Sequence, residues 1–377
     1  MEFRIERGAL ADAVGWAAKS LPTRSPVPVL GGLMLDAREG RLRISGFDYE
    51  ASADIEVPAK TPVPGQVLVP GRRLLDICRV LPDAMVRCAL EGARFTMDGG
   101  GTRFGLSTLP AQEYPALPAL PACRGVVDAA ELAAAVGQVV IAAGRDDTLP
   151  VLTGIQVRLD GESMTLAASD RYRYAVRTLS WQPGEAASEA VEVVVPGRRL
   201  TEISRSLAKS GPIRVGLNGS GGGLISFEGA GMRTTLRLLE GRLPRYDKLF
   251  TLDSPAVAVA RREPLADAVR RVAVVAEPDS PIRLDFSAQG TTVLLQAGYE
   301  DDIASQRLAA TLQGADDMTV AFNPAYLLEA LASFNAPQIR FELLGPGQRA
   351  MLSGVPDTDH AAQEDHRHLL MSVRQLS

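Results

Sequence analysis

The chain of 377 residues lacks the features that mark several protein classes. Aromatic residues make up only 5% of it, and its three cysteines, Cys78, Cys88 and Cys123, show no CxxC spacing. Such a set is typical of reduced thiols and argues against a disulfide framework. No apolar run approaches the roughly 18 residues of a membrane span, and residues 1–7 alternate apolar and charged side chains, unlike a secretion signal. We therefore expect a cytoplasmic protein that does not contact membranes.

Motifs for catalysis, phosphate binding and metal binding are missing as well. GxxxxGK[ST], HExxH and GxSxG do not occur, and the three histidines all lie near the C-terminus. The glycine runs at 99–101 and 221–223 do not open a helix, as a phosphate loop would, so we interpret them as hairpin tips. The sequence therefore predicts a protein with no catalytic residue, no metal site and no cofactor.

The most informative feature is a threefold internal repeat. Leu-Ala-Asp-Ala-Val occurs at 10–14 and 265–269, with a related Leu-Ala-Ala-Ala-Val at 132–136. Val-Pro-Gly-Arg-Arg-Leu occurs at 69–74 and 195–200, with a weaker copy, Phe-Asn-Pro-Ala-Tyr-Leu, at 322–327. Both series have a period of roughly 122–133 residues and keep the same order. Two markers that agree in this way predict three domains of similar fold.

Proline-rich stretches mark the boundaries between the repeats. Residues 110–121 contain four prolines, a composition typical of a stiff extended linker, and 241–255 has the same character. We therefore predict an N-terminal domain at 1–122, a central domain at 123–254 and a C-terminal domain at 255–377.

Each repeat is predicted to contain two helices and several strands. The first helices are expected at 9–20, 130–143 and 264–276, and the second at 72–81, 198–208 and 325–334. Alternating strand pairs, such as 33–36 with 41–45, are joined by tight turns, for which we predict Glu39-Gly40 and Asp160-Gly161. This pattern indicates the α+β class, with helices on one face of an antiparallel sheet.

Positive charge is concentrated on the predicted second helices although the net charge of the chain is -5. The first repeat carries Arg72, Arg73 and Arg79 there, and the second carries Arg198, Arg199 and Arg205. If the repeats place their helices side by side, these basic faces form one lining that contacts phosphates with little regard to sequence. The alternative for any one helix is an ordinary solvated face.

Several segments, spread in the right order along nearly the whole chain, resemble the bacterial DNA polymerase III beta subunit family, the sliding clamps. They lie at 24–31, 69–79, 104–110, 169–173 (Ser-Asp-Arg-Tyr-Arg) and 322–327. The resemblance implies the DNA clamp fold and a head-to-tail homodimer whose six similar domains form a ring. It also implies a non-enzymatic processivity factor that encircles duplex DNA and tethers other proteins to it.

The resemblance also implies three sets of site residues and a set of partners. The DNA-contacting residues would be Arg24, Arg72, Arg73, Arg79, Arg198, Arg199 and Arg205. The dimer interface would include Arg103, Phe104, Leu106, Val274, Val275 and Glu300. A peptide pocket between domains 2 and 3 would be lined by Leu152, Ser169, Arg171, Tyr172, Arg173, Tyr174, Pro244, Lys248, Leu249, Leu369, Met371, Val373 and Arg374. The implied partners are double-stranded DNA, a second copy of the chain, the polymerase III alpha subunit, the clamp loader, other DNA polymerases and mismatch-repair proteins, and the implied location is the nucleoid.

The sequence departs from the family pattern at the pocket. Met371-Ser372-Val373-Arg374 stands where the family has Met-Pro-Met-Arg, and Arg171-Tyr172 is bulkier than the commoner small residue followed by His. Loss of the proline is expected to free the backbone, and Val in place of Met to narrow the contact. We therefore expect an altered peptide preference, as in a second clamp or one changed to evade a pocket-binding inhibitor.

Two alternatives to the clamp hypothesis stay open at this point. One is an enzyme whose site at a domain junction uses Asp146, Asp170 and Arg173. The other is an interaction scaffold that shares the repeat but forms no ring, and a chain that is monomeric at all concentrations would favour it.

Overall fold

The first two repeats have the same order of elements in the computed structural model of the chain, which describes residues 1–22, 27–184, 189–219, 222–245, 247–277, 280–299, 302–356 and 365–374. The third repeat has one strand fewer between its two helices in the described residues. The first repeat comprises β1 (Glu2–Glu6), α1 (Arg7–Ala17), β2 (Gly32–Arg38), β3 (Arg41–Phe47), β4 (Ala51–Pro58), β5 (Lys60–Val63), β6 (Gly65–Pro70), α2 (Gly71–Val80), β7 (Met85–Glu91), β8 (Arg94–Gly99) and β9 (Thr102–Ser107). The second comprises β10 (Cys123–Asp128), α3 (Ala129–Val140), β11 (Gly154–Asp160), β12 (Ser163–Ser169), β13 (Arg173–Ser180), β14 (Gln182–Pro183), β15 (Val191–Pro196), α4 (Gly197–Leu207), β16 (Pro212–Asn218), β17 (Leu224–Gly229) and β18 (Met232–Arg237). The third comprises β19 (Ala256–Arg261), α5 (Arg262–Val272), β20 (Ile282–Ser287), β21 (Thr292–Tyr299), β22 (Asp302–Gln313), β23 (Asp317–Phe322), α6 (Pro324–Ser333), β24 (Gln338–Leu343), β25 (Arg349–Val355) and β26 (His366–Met371).

Both sequence markers occupy equivalent places in the three repeats. The first marker lies in α1, α3 and α5, each of which follows a strand directly, and the second spans the junction from β6, β15 or β23 into the next helix. Side-chain caps start two of these helices, α3 and α6. The Asp128 carboxylate accepts hydrogen bonds from the N–H groups of Ala130 and Glu131 at 2.9 and 3.0 Å, and Asn323 caps α6 in the same way. The α+β prediction with two helices per repeat is confirmed for the described residues.

Unit 1 is a compact body formed by residues 1–133, 181–189 and 202–238. It holds a five-stranded sheet, in the order β5-β1-β7-β8-β9, and a nine-stranded sheet, in the order β14-β10-β16-β17-β18-β4-β3-β2-β6. In the larger sheet, β18 of the second repeat pairs with β4 of the first, from Met232 with Ile55 to Leu236 with Ala51. The main-chain ladder therefore continues from one repeat into the next.

Unit 2 is formed by residues 134–180, 190–201 and 239–377. It holds one twelve-stranded sheet, in the order β15-β11-β12-β13-β26-β25-β24-β19-β22-β21-β20-β23. Here β13 of the second repeat pairs with β26 of the third, from Arg173 with Leu370 to Arg177 with His366. All pairings among the described strands are antiparallel, and α5 and α6 cover a core that includes Leu265, Phe286 and Phe341.

The predicted turns are correct at one hairpin and shifted at another. Glu39 and Gly40 join β2 to β3 with φ of 51° and 74°, as a two-residue turn of this kind requires. The prediction of Asp160-Gly161 is wrong by one residue, because Asp160 pairs with Ser163 and ends its strand. The turn is Gly161-Glu162, and glycine supplies the left-handed φ of 55° at its first position.

Strand β26 carries two buried histidines inside the sheet of unit 2. The His366 ring lies within hydrogen-bond distance of the Ser333 hydroxyl (2.9 Å) and the Val176 carbonyl (3.2 Å). Neither ring nitrogen of His368 has a hydrogen-bond partner among the described residues. Burial lowers the pKa of His366 to about 4 and holds the pKa of His368 well below its usual range. Both rings are therefore neutral in the folded chain at neutral pH.

We predict that unit 2 loses stability as the pH falls from 7.5 to 5.5. The unfolded chain protonates both histidines below their ordinary pKa of about 6.5, whereas the folded chain does not, so the free energy of unfolding falls with pH. The two rings together should account for about 3 kcal/mol over this interval. Urea titrations at the two pH values measure the loss. In His368→Leu, which removes no hydrogen bond, about half of the loss should disappear, and an unchanged difference would contradict the assignment.

Candidate functional site

An apolar floor lies in unit 2 where the second and third repeats share their sheet. It consists of buried side chains with four half-buried ones packed against them: Ala167, Tyr174, Val176, Leu243, Phe250, Met351 and Leu369, with Val151, Leu152, Leu249 and Leu252. The sequence prediction for the pocket contained Leu152, Tyr174, Leu249 and Leu369 from this set. The pairing of Tyr174 with Leu369 across β13 and β26 brings two of them together.

A cleft of about 490 Å³ adjoins the floor, and Leu152 contributes to both. Its walls come from residues 143–152, the turn before β13 and the start of α6. They include the predicted pocket residues Arg171, Tyr172 and Arg173. An apolar surface beside a cleft with a few oriented polar groups is the usual form of a site for a short peptide or small ligand.

Arg173 is the most constrained charged group in the cleft. Its side chain is only 4% exposed, and its guanidinium pairs with Asp170 at 2.9 Å and with Glu329 of α6. The same guanidinium lies over the Tyr326 ring, 4.3 Å from its centroid. A buried cation with two carboxylates and an aromatic face is satisfied by the protein itself. Arg173 therefore ties the turn before β13 to α6 and shapes the wall.

The turn before β13 has a fixed conformation. The Asp170 carboxylate accepts hydrogen bonds from the N–H groups of Tyr172 and Arg173, both at 3.1 Å. The buried Ser169 hydroxyl donates to the Arg173 carbonyl at 2.8 Å and accepts from the Arg171 N–H at 3.4 Å. Ser169 therefore holds the turn, and its hydroxyl is already engaged. Tyr172, 60% exposed, stacks on Tyr326 with 6.3 Å between ring centroids.

The predicted residues of the 244–249 segment lie beside the floor. The Tyr174 hydroxyl donates to the Pro244 carbonyl at 3.0 Å. The Arg349 guanidinium donates to the carbonyls of Lys248 and Leu249 at 3.0 and 2.9 Å. These bonds leave the Lys248 side chain exposed and direct the half-buried Leu249 onto the floor.

We expected the loss of proline at position 372 to free the backbone of the C-terminal strap, residues 371–374, and this expectation is wrong. The Ser372 N–H donates to the Gln348 carbonyl at 2.9 Å, and its hydroxyl accepts from the Gln348 N–H at 2.9 Å. The neighbouring N–H groups of Met371 and Val373 donate to the carbonyls of Tyr172 and Ala321. The hydroxyl and N–H of serine supply bonds that proline could not make, so the strap is tied down.

The strap presents the remaining three predicted pocket residues at the surface. Met371 is 40% exposed, Val373 is 39% exposed, and Arg374 is exposed and lies over Gly347. Gly347 has a φ of 71°, in the left-handed region that favours glycine, and a Cβ atom there would come within 2.4 Å of the Arg374 Cγ atom.

Sequence reasoning missed the part of the cleft that the third repeat and the 143–149 segment provide. Arg145, Leu149, Tyr326 and Glu329 all line it. Tyr326 belongs to the third copy of the second marker, and that copy was a usable signal. Arg145, Leu149 and Glu329 belong to no repeated motif, so only their contacts in the folded chain place them at the cleft.

The predicted DNA-contacting arginines occupy the two second helices. In α2, Leu74 and Cys78 are buried, whereas Arg72, Arg73 and Arg79 are exposed. In α4, Arg198 and Arg205 are exposed and Arg199 is half-buried. Helical spacing separates the apolar and basic faces in the way the sequence predicted. Arg24 lies outside the described residues.

The predicted dimer residues fall on two surfaces, one in each unit. Arg103, Phe104 and Leu106 lie on β9, the edge strand of the five-stranded sheet of unit 1. Val274 and Val275 lie in the 3-10 turn after α5 of unit 2, and Val274 is 81% exposed. Glu300 lies outside the described residues.

The described residues contain neither a membrane-spanning helix nor a metal-binding cluster. No helix in them is long and apolar enough to cross a membrane. No group of three or more His, Cys, Asp or Glu side chains in the described ranges is arranged to hold a metal ion.

Comparison with known proteins gives one consistent result along the chain. Models of the N-terminal, central and C-terminal domains of the DNA polymerase III beta subunit match residues 1–118, 126–245 and 248–366. The beta sliding clamp of Streptomyces coelicolor is 48% identical over 377 residues, 99% of each chain. The beta sliding clamp homolog GriR of Streptomyces muensis is 40% identical over 374 residues, again 99% of each. The crystal structure of the Pseudomonas aeruginosa sliding clamp bound to griselimycin is 25% identical, with a TM-score of 0.90 over 100% of both chains. The chain therefore belongs to the DNA polymerase III beta subunit family, the bacterial sliding clamps.

Proposed function

We propose that this clamp closes head to tail with a second copy into a ring around duplex DNA, and that the floor and cleft of unit 2 receive peptide tails of its partners. A sliding clamp is a non-catalytic processivity factor, so the enzyme hypothesis for Asp146, Asp170 and Arg173 is wrong. The observation that carries the proposal is the joining of floor and cleft through Leu152. The partners we propose are the polymerase III alpha subunit, the clamp loader, other DNA polymerases and mismatch-repair proteins, which would place the clamp at the nucleoid.

We also propose the domain boundaries 1–122, 123–254 and 255–377. The three family-model matches, at 1–118, 126–245 and 248–366, support them. The compact units divide the chain differently, because β18 and β13 of the second repeat pair with strands of different neighbouring repeats.

Peptide binding follows from what the floor and cleft offer. Leu152 and Leu249 are half-buried apolar side chains that an anchor residue can cover, and Met371 of the strap is an exposed apolar side chain. Burial of apolar area supplies the affinity, while the tied turn and strap keep the site preformed and reduce the cost of ordering it. The preferred partner is therefore an extended or helical tail with two or three apolar anchors.

Dimer formation is supported by two unpaired strand edges. In unit 1, β9 pairs only with β8 among the described strands. In unit 2, β22 pairs with β21 over 302–309 and with β19 only over 310–313, so one side of its first half lacks a described partner. Ile303, 66% exposed, lies in that half. Open edges invite pairing with another chain, and a contact between unlike surfaces, used twice, can close a ring.

DNA contact is supported by the arginines of α2 and α4. A ring holds DNA because it is closed, so phosphate contacts that are weak and independent of sequence suit sliding. The acidic net charge of -5 is then compatible with DNA binding, because only the lining has to be basic.

The pocket residues further support the proposal of a variant clamp. Arg171 and Ser372 depart from the family pattern, and Ser372 ties the strap through its side chain. A titration of a polymerase tail peptide against this clamp and the Streptomyces coelicolor clamp tests this directly. Equal affinities would remove the reason for calling the pocket altered.

For the pocket, we predict that Leu249→Ala weakens binding of a labelled peptide with Leu and Phe anchors about tenfold. Removing most of one half-buried leucine costs about 1–2 kcal/mol of apolar burial. Fluorescence anisotropy gives the Kd. Leu120→Ala is the matched control, since Leu120 is an exposed leucine of unit 1 outside the floor. If both variants bind like the parent protein, the floor is not the peptide site.

For the dimer, we predict that Leu106→Asp or Val274→Asp shifts the protein from dimer to monomer at micromolar concentration. A carboxylate buried in an apolar contact without a partner is strongly unfavourable. Sedimentation velocity measures the change. Val80→Asp, at another exposed valine (68%), should stay dimeric. A parent protein that is monomeric at all concentrations would favour the scaffold hypothesis.

For DNA, we predict that changing Arg72, Arg73 and Arg79 together to Ala weakens low-salt binding to linear duplex and flattens its salt dependence. Each lost phosphate contact should reduce the slope of log K against log salt by about 0.9. Clamps loaded on nicked circles should still stay on at high salt and leave when the circle is cut. The control removes three exposed strand arginines, Arg38, Arg41 and Arg87, and should behave like the parent protein. Equal loss from circles and linear DNA would contradict the closed ring.

A further inference from the structure

The outer face of the sheet in the third repeat carries a second concave site, which we call the outer groove. It has a volume of about 750 Å³ and is formed by side chains of β19, β22, β24 and β25, with Thr291 from the turn before β21. Alternate residues of the same strands, such as Ala258 and Phe341, belong to the core that α5 and α6 cover. The outer groove therefore lies on the face of the sheet away from these helices. In the described part of the chain, it shares no lining residue with the cleft or the floor.

Apolar β-branched side chains form the base of the outer groove. They include Val257 and Val259, which are half-buried, and Val355, which is 3% exposed. Strand β19 pairs with β22 on one side and with β24 on the other, so its main-chain groups are already engaged. A ligand cannot add a strand here and must bind through side chains. Apolar groups that cover the valines would supply affinity by burial.

The charged groups that line the outer groove are positive. Its ionisable lining residues are Arg261 and Arg340, and no acidic side chain belongs to the lining that the structure describes. The Arg261 side chain is exposed and has no hydrogen bond or ion pair to any described residue. Arg340 pairs through Nε with Glu342 at 3.1 Å, and its two terminal nitrogens have no partner in the described ranges. Both guanidinium groups therefore have donors available for an anion.

The two arginines are diagonal neighbours across the ladder of β19 and β24. Arg261 pairs with Gln338, and Arg340 lies two residues further along β24. Diagonal neighbours in an antiparallel pair are about 7–8 Å apart, a spacing that long side chains can bridge. Gln338 and Thr311 add hydrogen-bonding side chains to the lining. One short anionic segment can therefore reach both arginines.

We propose that the outer groove is a second docking site, which binds an acidic peptide segment that carries Val, Ile or Leu between its carboxylates. The apolar residue covers Val257 and Val259, while the flanking carboxylates pair with Arg261 and Arg340. The described lining contains no aromatic side chain, so the groove offers no surface on which the bases of a single-stranded nucleic acid could stack. An acidic peptide is therefore the polyanion that both the charge and the apolar base favour.

The position of the outer groove allows it to be occupied at the same time as the cleft. Along β25, Met351 of the floor and Val355 of the groove point to the same face of the sheet and lie four residues apart, about 13 Å. Binding at the groove therefore goes beyond the proposed function, because one protomer would hold two partner segments at separate sites.

The test selects peptides without assuming their sequence. A displayed library of random peptides of about twelve residues is bound to the full-length parent protein, and peptides that also bind Val259→Asp are discarded. Val259 is half-buried outside the core, so a carboxylate there repels an acidic segment and leaves the core intact. If this variant does not fold, Arg261→Gln with Arg340→Gln replaces it in the discarding step. The peptides that remain should contain at least two Asp or Glu residues beside Val, Ile or Leu.

One recovered peptide then assigns the charge preference to the two arginines. Fluorescence anisotropy at low salt should give a Kd about tenfold higher for Arg261→Gln with Arg340→Gln, and a peptide with Gln in place of its acidic residues should lose as much. Arg283→Gln is the matched control and should bind like the parent protein. Arg283 pairs with Asp285 two residues away, as Arg340 pairs with Glu342, but it does not line the groove.

The outcomes separate the outer groove from the proposed peptide site. A Kd that Leu249→Ala leaves unchanged supports the groove whether or not the floor receives peptide tails, whereas a weaker Kd would place the peptide on the floor and overturn the inference. The inference also fails if no peptide distinguishes the parent protein from Val259→Asp, if the recovered peptides have no excess of acidic residues, or if the arginine variant keeps the parent Kd.

Two further measurements exclude other occupants. A short oligothymidylate that displaces the recovered peptide at micromolar concentration would assign the groove to nucleic acid and overturn the inference. Sedimentation velocity should give the same coefficient for Val259→Asp and the parent protein, since a change would assign the groove to a second copy of the chain.

Discussion

The hydrogen-bond ladder between β13 and β26 is the constraint on which the site depends. It joins strands that lie about 190 residues apart in sequence, and its register pairs Tyr174 with Leu369 and Arg173 with Leu370. Because side chains alternate along a strand, a slip of one residue would turn Tyr174 and Leu369 away from the floor. The same ladder delivers Arg173 to Glu329 and Tyr326 of α6. The pairing of β13 with β26 therefore positions both the floor and the cleft wall.

Around that ladder, polar groups mainly hold the neighbouring segments in place through hydrogen bonds and ion pairs within the protein. Ser169 and Asp170 fix the turn, Arg173 joins it to α6, and Ser372 fixes the strap to the turn at Gln348. Each of these groups is buried or nearly so, and each spends its hydrogen bonds within the protein. What remains for a partner is apolar surface and the exposed arginines. Under the proposed function, partner recognition by this clamp would thus depend on the groups that these internal hydrogen bonds leave unused.

Much of the fold could be predicted from the sequence, because it depends on local patterns. The two markers located the six α-helices of the described residues, and alternation of apolar residues located the hairpin of β2 and β3. The turn at Gly161 was misplaced by one residue, since Asp160-Gly161 and Gly161-Glu162 both look like turns and only the pairing of Asp160 with Ser163 decides. The role of Ser372 was wrong for a different reason. Its hydrogen-bond partners, at 345 and 348, come next to it only when the sheet forms, so no local sequence pattern predicts these bonds. Arg145 and Glu329 were missed on the same ground.

The sharing of sheets between repeats also limits how such proteins can be recombined. A chain cut between its second and third repeats would expose two bare strand edges, at β13 and β26, each ready to pair with any other strand. A foreign third domain could satisfy the backbone of β13, since main-chain bonds do not depend on side chains. It would restore the floor only if its last strand brought apolar residues in the right alternation. The repeats can therefore be recognised separately in the sequence, but they fold together. We expect an exchange of domains between clamps to keep β13 and β26 as a matched pair.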